Sequence, residues 1–449
     1  MEQGQEFSKN DYDEIKTSNH KCVIILIVSV VVVLIAVSLV LYFVLRDSGS
    51  SSSGITYTTT VSGTSLSYNT VNLIKEDTEI GSGSYESTSA DQNVFLVVDG
   101  ATLTLGPDVK ITKTGSSSNK RRLVEEPSEP GDGEPPDKPG EGGEGGGSAP
   151  PGGNSDDSYS FYGLNSAIVV IGEGSKAVIN GATITTSAHG ANAVMAVNSG
   201  EIEIKNSTIR TSKDASRGLH ATYKGKITAS DVDIQTQGGS CANLATDRGE
   251  GTVIAKNMKL STAGAGSPLI YSTGVIQVTN STGSATGAQI SVVEGKNSVV
   301  LNKCTFSATG SGNRGNVDLA GVMIYQSMSG DASVGVGNFE AYDSDLKIDE
   351  SDIQSSVPFF FITNTEAVIM LNNTKTEIKS NVFLNVTGTE EWGKTGSNGG
   401  DVQMSIIGEK INGKISTDNI SSVIINYDSN SMSEEDFKYE GNVTLSKLE

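Results

Sequence analysis

AVINGATITT at residues 177–186 is the first of four related segments that decide the fold of this chain; the others are IEIKNSTIRT at 202–211, ITASDVDIQT at 227–236 and VIAKNMKLST at 253–262. Each segment alternates apolar and polar residues on both sides of a polar corner that carries Asn or Asp. Alternation with a period of two is typical of a β-strand that buries one face. The segments therefore predict pairs of short strands, each pair joined by a tight corner.

The pattern recurs along the chain at a nearly constant period. It returns as VVLNKCTFSA at 299–308, LKIDESDIQS at 346–355 and IMLNNTKTEI at 369–378, and VIQVTN at 275–280 supplies a unit in between. The apolar anchor after the corner lies at Ile184, Ile209, Ile234 and Leu260, and then, two units later, at Phe306. Short apolar strands separate the units, beginning with AIVVI at 167, AVMAV at 193, LHATY at 219, ANLAT at 242, PLIYS at 268, QISVV at 289 and FFFIT at 359.

This fixed period, without helical periodicity, indicates a solenoid of stacked coils. An antiparallel sandwich or barrel would instead show hairpin turns about every 8–12 residues. Leucine-rich repeats share the period, but Leu is sparse here. We expect about 11 coils between residues 161 and 427, which would stack into a rod on the order of 50 Å long.

The repeat resembles that of the right-handed parallel β-helix proteins, the pectin-lyase-like superfamily, and within it the adhesin-like surface proteins. The resemblance covers about residues 94–113 and 161–427. It implies an all-β fold, a right-handed parallel β-helix solenoid, with a role in adhesion or in polysaccharide chemistry.

An uncharged segment at residues 22–45 predicts one N-terminal transmembrane α-helix, since about 20 apolar residues cross a bilayer core. Lys9, Lys16 and Lys21 precede this segment, and only Arg46 follows it closely. This bias predicts a cytoplasmic tail at 1–21 and a C-terminal ectodomain outside the cytosol, since positive charge stays on the cytoplasmic side. Residues 46–54 are expected to form a flexible stalk, and residues 55–113 the first strands and coils.

Six N-x-[ST] sequons follow the predicted membrane segment and are candidates for glycosylation: Asn206, Asn280, Asn372, Asn385, Asn419 and Asn442. Lys and Arg number 32 against 53 acidic residues, a net charge of −21. Such a surface repels phosphate backbones, so nucleic acid is not an expected partner. The expected partners are the membrane, through its one spanning helix, and an extracellular glycan or surface protein.

An acidic insertion is predicted at residues 114–160, which hold seven of the ten prolines and few apolar residues. Such a composition cannot bury a core, so we expect this insertion to be disordered. Its basic triplet Lys120, Arg121 and Arg122 resembles a proprotein-convertase cleavage site. The solenoid is expected to span 161–427, followed by a C-terminal cap or tail at 428–449.

Catalytic residues do not stand out in the sequence. The N-T-D, G-H-G and R-I-K segments of polygalacturonases do not occur, and no cofactor is predicted. Weak candidates for calcium binding are Asp343, Asp345, Asp349 and Asp352. Sugar-binding sites often use aromatic platforms, for which the candidates are Tyr223, Tyr271, Tyr325 and Trp392.

The sequence therefore favours a single-pass surface protein that uses its β-helix for adhesion or glycan binding without catalysis. The alternative is a membrane-tethered polysaccharide lyase or glycoside hydrolase with a divergent active site. A structural coat component without a ligand is a third possibility.

Overall fold

The computed structural model describes residues 54–118, 157–308, 320–349 and 357–448. The predicted tail, membrane helix and most of the stalk lie outside the described residues, as do most of the insertion with Lys120, Arg121 and Arg122, and Asp352. In the described ranges, no helix is both long enough and apolar enough to cross a bilayer.

The regular secondary structure of the described chain is almost entirely β-strand. One short helix, α1 (Asp157–Ser160), and one 3-10 turn (Glu434–Asp436) accompany the strands. The strands in the first half are β1 (Ile55–Val61), β2 (Thr64–Ile74), β3 (Thr78–Ser87), β4 (Gln92–Val97), β5 (Thr102–Lys113), β6 (Ile168–Ile171), β7 (Lys176–Asn180), β8 (Thr183–Thr186), β9 (Val194–Val197), β10 (Glu201–Lys205), β11 (Thr208–Thr211), β12 (Leu219–Thr222), β13 (Lys226–Ser230), β14 (Asp233–Thr236), β15 (Leu244–Asp247), β16 (Thr252–Lys256) and β17 (Lys259–Thr262). They are followed by β18 (Ile270–Ser272), β19 (Val275–Thr279), β20 (Thr282–Ala285), β21 (Ser291–Glu294), β22 (Ser298–Asn302), β23 (Thr305–Ala308), β24 (Val322–Tyr325), β25 (Gly337–Tyr342), β26 (Asp345–Ile348), β27 (Phe360–Thr363), β28 (Thr365–Asn372), β29 (Lys375–Ile378), β30 (Val382–Val386), β31 (Gly400–Ile407), β32 (Lys414–Thr417), β33 (Ser422–Asp428), β34 (Lys438–Glu440) and β35 (Val443–Leu448).

These strands stack into three ladders, and each coil contributes one strand to a ladder. Ladder 1 runs β1-β2-β4-β6-β9-β12-β15-β18-β21-β24-β27-β30-β32-β34. Ladder 2 runs β3-β5-β7-β10-β13-β16-β19-β22-β25-β28-β31-β33-β35. Ladder 3 continues from the second half of β5 through β8-β11-β14-β17-β20-β23-β26-β29. The pairs within these ladders are parallel except β1–β2, and this all-β arrangement fits a β-helix solenoid.

The register follows the repeat that the sequence predicts. Ile209 pairs with Ile184 on one side and with Ile234 on the other. Leu260 pairs with Gly283, which pairs with Phe306, so VIQVTN does introduce the intermediate coil. The predicted recurrence is confirmed in these coils.

The sequence pattern misplaces one segment. It aligns residues 346–355 with residues 299–308 from the first residue of each, but in the structure Leu346 pairs with Phe306, the apolar residue after the corner. The first strand of this coil is β25, where Phe339 pairs with Val299. The pattern is misleading here for two reasons. Residues 346–355 continue the apolar alternation, and the long connection between β24 and β25 interrupts the constant spacing of the repeats.

Asn and Asp occupy the corners between ladders 2 and 3 because these corners need a left-handed backbone. The φ angles are +50° at Asn206, +55° at Asp231 and Asn257, and +48° at Asn280. Asn and Asp tolerate this conformation better than other residues with a side chain. The side chains also bond from coil to coil: Asn257 donates to Asp231 at 3.0 Å, and Asn280 donates to Asn257 at 2.7 Å.

The middle of ladder 1, from β4 to β27, differs from the other two ladders in being largely buried on both faces. The strands of ladders 2 and 3 alternate between buried and exposed residues, as in Glu201–Lys205. All four residues are buried in β12, β15, β21, β24 and β27. Segments outside the ladders pack on its outer face, including residues 158–164 and a strap that we define as residues 326–335.

Both ends of the described solenoid are strands of the same ladders. The hairpin β1–β2 turns at Ser62 and Gly63, whose φ angles of +47° and +84° suit a tight hairpin turn. β34 and β35 pair with β32 and β33, so the ladders continue past residue 427 to Leu448.

Candidate functional site

A buried carboxylate on the outer face of ladder 1 gathers three hydroxyl groups. Glu294, the last residue of β21, is 1% exposed. Its Oε2 accepts hydrogen bonds from the hydroxyls of Tyr271 at 2.5 Å and Tyr325 at 3.0 Å. Its Oε1 accepts a hydrogen bond from Ser327 of the strap. We call these four residues the Glu294 cluster.

Hydrogen bonding explains how the carboxylate of Glu294 is accommodated inside the protein. A buried charge without partners is costly, whereas hydrogen bonds to an ionised acceptor are about twice as strong as neutral ones. Burial, together with Tyr325 and Glu294, holds the pKa of Tyr271 well above its usual value. Tyr271 therefore keeps its proton and donates a hydrogen bond to Glu294.

An aromatic surface adjoins the Glu294 cluster. Trp392 lies in the loop after β30, and its ring meets the ring of Tyr325 edge-on, with centroids 5.0 Å apart at 66°. It also packs against an apolar cluster that includes Met323 and Phe361. Asn398 fixes the loop by donating from Nδ2 to the carbonyl of Trp392 at 2.6 Å. The indole Nε1 is buried and finds no acceptor among the described residues.

A second carboxylate lies on the same outer face, at the end of β15. Oδ2 of Asp247 is 3.5 Å from Nη2 of Arg217 and 3.9 Å from Nε2 of His220. Burial raises the pKa of Asp247 to about 7, and Asp331 and Glu294 contribute while Arg217 opposes the shift.

His220 is neutral in this site, because burial and Arg217 lower its pKa well below the usual value. In the described ranges neither ring nitrogen of His220 has a hydrogen-bond partner.

Arg248 ties the strap to this face. Its Nε and Nη2 donate to Oδ1 of Asp331 at 3.0 Å and 2.5 Å. Its guanidinium carbon also lies 4.0 Å from the centroid of the Phe161 ring, a cation–π arrangement. The strap and the segment at 158–164 are thus linked through one side chain.

The structure brings together three of the four aromatic residues that the sequence suggested. Tyr271 and Tyr325 both donate to Glu294, and Trp392 packs against the ring of Tyr325. Tyr223 lies apart and stacks on Tyr162, with centroids 5.4 Å apart and planes 4° from parallel.

The three suggested calcium ligands within the described ranges, Asp343, Asp345 and Asp349, do not converge. Asp343 sits in a corner and accepts a hydrogen bond from Asn373 at 3.3 Å, and Asp349 pairs with Lys379 at 3.1 Å. Asp345 is exposed on β26. Over the described part of the chain, no group of three His, Cys, Asp or Glu side chains could hold a metal ion.

The sequons lie at accessible positions. Asn206, Asn280, Asn419 and Asn442 are exposed, and Asn372 and Asn385 are half-buried. Asn206 donates to Oδ1 of Asn180 at 2.9 Å, as part of the corner ladder. Their glycosylation remains a prediction.

Sequence reasoning missed Glu294, Asp247 and Asp331. One signal was present for the first two: LATD and SVVE each end a short apolar strand with an acid. An acid in that position of a fully buried strand needs partners, which marks it as unusual. Asp331 lies in the strap, whose path over ladder 1 the repeat does not specify.

No family model, no curated protein and no solved structure matches this chain. Its function is therefore argued from the fold and from the outer face of ladder 1.

Proposed function

We propose that this chain is a single-pass membrane-anchored surface protein whose β-helix, right-handed and of the pectin-lyase-like, adhesin-like type, binds glycans without converting them. The observation that carries the proposal is the pair of tyrosines, Tyr271 and Tyr325, that Glu294 holds by hydrogen bonds, with the Trp392 ring packed edge-on against Tyr325. We place the glycan at this cluster, on the outer face of ladder 1.

The chemistry of this cluster suits a sugar. Aromatic rings provide a flat apolar surface with a polar edge, and a few fixed polar groups orient the ligand. Trp392 is half-buried and its loop is fixed by Asn398, so its ring is held in place before a ligand arrives. Such preorganisation lowers the entropic cost of binding.

The bonding of Glu294 supports binding rather than turnover. Glycoside hydrolysis needs two carboxyl groups about 5–10 Å apart that transfer protons to and from the reacting groups or form a covalent bond to the sugar. Both carboxylate oxygens of Glu294 already accept hydrogen bonds from hydroxyl groups of the protein. Its role is to orient Tyr271 and Tyr325.

Surface display is supported by the uncharged segment at 22–45 and by the Lys bias before it. The four exposed sequons and the net charge of −21 agree with a soluble, glycosylated ectodomain.

The test is a glycan array probed with the full chain in detergent micelles, beside the variants Tyr271→Phe and Trp392→Ala. We expect saturable binding to a defined set of glycans that both variants weaken. The matched control is Tyr342→Phe, because Tyr342 also donates to a carboxylate, Oε2 of Glu340 at 2.7 Å, but on ladder 2. Equal loss in all three variants would remove the cluster as the binding site.

A second candidate function, polysaccharide cleavage, is favoured by Asp247. Its pKa of about 7 would let it act as an acid at neutral pH, and it shares a face with Glu294. The same full chain is incubated with polygalacturonate and assayed for unsaturated or reducing ends. Products that disappear in Asp247→Asn would establish this function in place of simple binding.

A further inference from the structure

A polar cleft lies at the N-terminal end of the solenoid, away from the Glu294 cluster. Its volume is about 290 Å³, and it opens where the β1 hairpin strand overhangs the turns that follow β4, β6 and β9. Tyr57 and Thr59 come from β1, Asp99 from the first turn, Glu173 from the second and Asn198 from the third.

The cleft exists because one side chain is missing from a column of turn residues. Asp99, Gly172 and Asn198 occupy equivalent positions after their strands, and all have left-handed backbones with φ of +58°, +92° and +52°. Gly172 stands between the other two. A Cβ placed on Gly172 would meet only Oγ of Ser175, at 3.9 Å, so the space above it is open.

One wall of the cleft is fixed by a hydrogen-bonded pair. The hydroxyl of Tyr57 donates to Oδ1 of Asp99 at 2.5 Å, and Nζ of Lys75 lies 3.0 Å from Oδ2 of Asp99. Lys75 also lies 5.4 Å from the centroid of the Tyr57 ring. The hydrogen bonds from Tyr57 and Lys75 lower the pKa of Asp99, so this carboxylate stays ionised and paired.

Three other polar side chains that line the cleft are free to bind a ligand. The side chains of Thr59, Glu173 and Asn198 make no hydrogen bond or ion pair within the described ranges. A hydroxyl and an amide both donate and accept hydrogen bonds, and a carboxylate accepts them. This alternation of donors and acceptors matches the hydroxyls around a sugar ring.

Charge narrows the class of ligand. Lys75 neutralises Asp99, so Glu173 leaves the cleft with one uncompensated negative charge. An acidic sugar would be repelled. A cation would bind oxygen atoms and leave the hydrogen-bond donors of Thr59 and Asn198 without partners. An uncharged sugar can accept hydrogen bonds from these donors and can also donate to the acceptors of the cleft.

We propose that this cleft is a second binding site, independent of the Glu294 cluster, that takes one uncharged sugar residue. Its volume lies at the lower end of the range for ligand pockets, which fits a single ring rather than an oligosaccharide.

The experiment uses the full chain in micelles and saturation-transfer NMR. The probes are the methyl glycosides of glucose, galactose, mannose and N-acetylglucosamine, with glucuronic acid and N-acetyl-lysine methylamide as charged comparisons. We expect at least one methyl glycoside to bind with Kd on the order of 1 mM, since a small ligand makes few contacts. No binding, or preference for either charged probe, would overturn the proposal.

Variants made in the Trp392→Ala chain, where binding at the Glu294 cluster is weakened, then locate the remaining binding. Gly172→Asn fills the cleft and should abolish binding. Asn suits this position because the neighbouring Asn198 also has a left-handed backbone. Glu173→Gln and Asn198→Ala change free side chains and should each weaken binding about tenfold. The last two variants keep the test valid if the Gly172 variant fails to fold.

The matched control is Gly330→Asn, at a left-handed glycine of φ +76° with open space around it, in the strap. It should bind the methyl glycoside like the parent chain. Because Trp392→Ala weakens the Glu294 cluster in all of these variants, the binding that Gly172→Asn removes belongs to the cleft. Binding that is already absent from the Trp392→Ala chain, or that survives Gly172→Asn in that chain, would contradict a separate site in the cleft.

Discussion

The hydroxyl of Tyr271 lies 2.5 Å from Oε2 of Glu294, a carboxylate that is 1% exposed. The two residues belong to strands one coil apart, β18 and β21, so the bond links adjacent coils on the outer face of ladder 1. Tyr325, one coil further along, donates to the same oxygen. One carboxylate thus connects three successive coils and anchors the strap through Ser327.

Removing the Tyr271 hydroxyl should destabilise these coils. Tyr271→Phe leaves a buried carboxylate with one donor fewer, and a hydrogen bond to a charged group contributes about 1.5–3 kcal/mol. We expect a lower thermal unfolding midpoint, measured by circular dichroism. Tyr342→Phe, which removes a comparable bond to Glu340 at a more exposed position, should change the midpoint much less. Equal effects would show that Glu294 is not held by its hydroxyl donors.

Asp247 should make stability depend on pH below neutrality. Its pKa in the folded chain is about 7, above the ordinary 3.8, because burial, Asp331 and Glu294 favour the neutral acid. The folded state therefore holds this proton more tightly than the unfolded state does. Stability from this group is present below pH 3.8 and is lost as the pH rises to about 7.

The variant Asp247→Asn removes this titration, so its unfolding midpoint relative to the parent chain should rise between pH 4 and pH 7. Midpoints at half-unit pH steps measure the difference. A difference that stays constant over this range would mean that Asp247 is ionised throughout.

Lys113 should produce an effect of the opposite sign, at higher pH. It is 0% exposed, and its Nζ donates to the carbonyls of Ser89 and Gly115, both at 2.6 Å. Burial lowers its pKa to about 8 from 10.5. The folded chain releases this proton more readily, so stability should rise between about pH 8 and 10.5. Lys113→Met should lack that rise in unfolding-midpoint measurements, and its persistence would assign the rise to other groups.

The corner ladder predicts an order among substitutions at Asn206. Ala is poorly suited to a φ of +50°, at a cost of about 1–2 kcal/mol, and it loses the bond to Asn180. Gly loses the bond but accepts the backbone. We expect unfolding midpoints in the order parent, Asn206→Gly, Asn206→Ala. If the two variants have the same unfolding midpoint, backbone conformation is not the reason that Asn occupies this corner.

The ladders could be predicted from sequence because every coil buries the same positions. Ile184, Ile209 and Ile234 recur at a nearly constant spacing, and in the structure they pair directly. The prediction failed at residues 346–355, where the apolar alternation continues but the repeat length changes. Period alone cannot place a coil whose connection is longer than the others.

The Glu294 cluster was only partly predictable. Tyr271 and Tyr325 could be suggested as aromatic candidates, but Glu294 looked like any acid in a chain with 53 of them. Its importance comes from burial among residues outside the repeat: Ser327 of the strap donates to it, and Trp392 packs against its partner Tyr325. The paths of these segments depend on contacts such as Arg248 with Asp331, which lie 83 residues apart and outside the repeat.

The most direct measurement is a glycan array with the full chain, its Trp392→Ala variant and Tyr342→Phe, followed by mass spectrometry of the bound glycans. Our account predicts saturable binding that Trp392→Ala loses and Tyr342→Phe keeps, with glycans of unchanged mass. Cleaved glycans, or binding that Trp392→Ala retains in full, would contradict it.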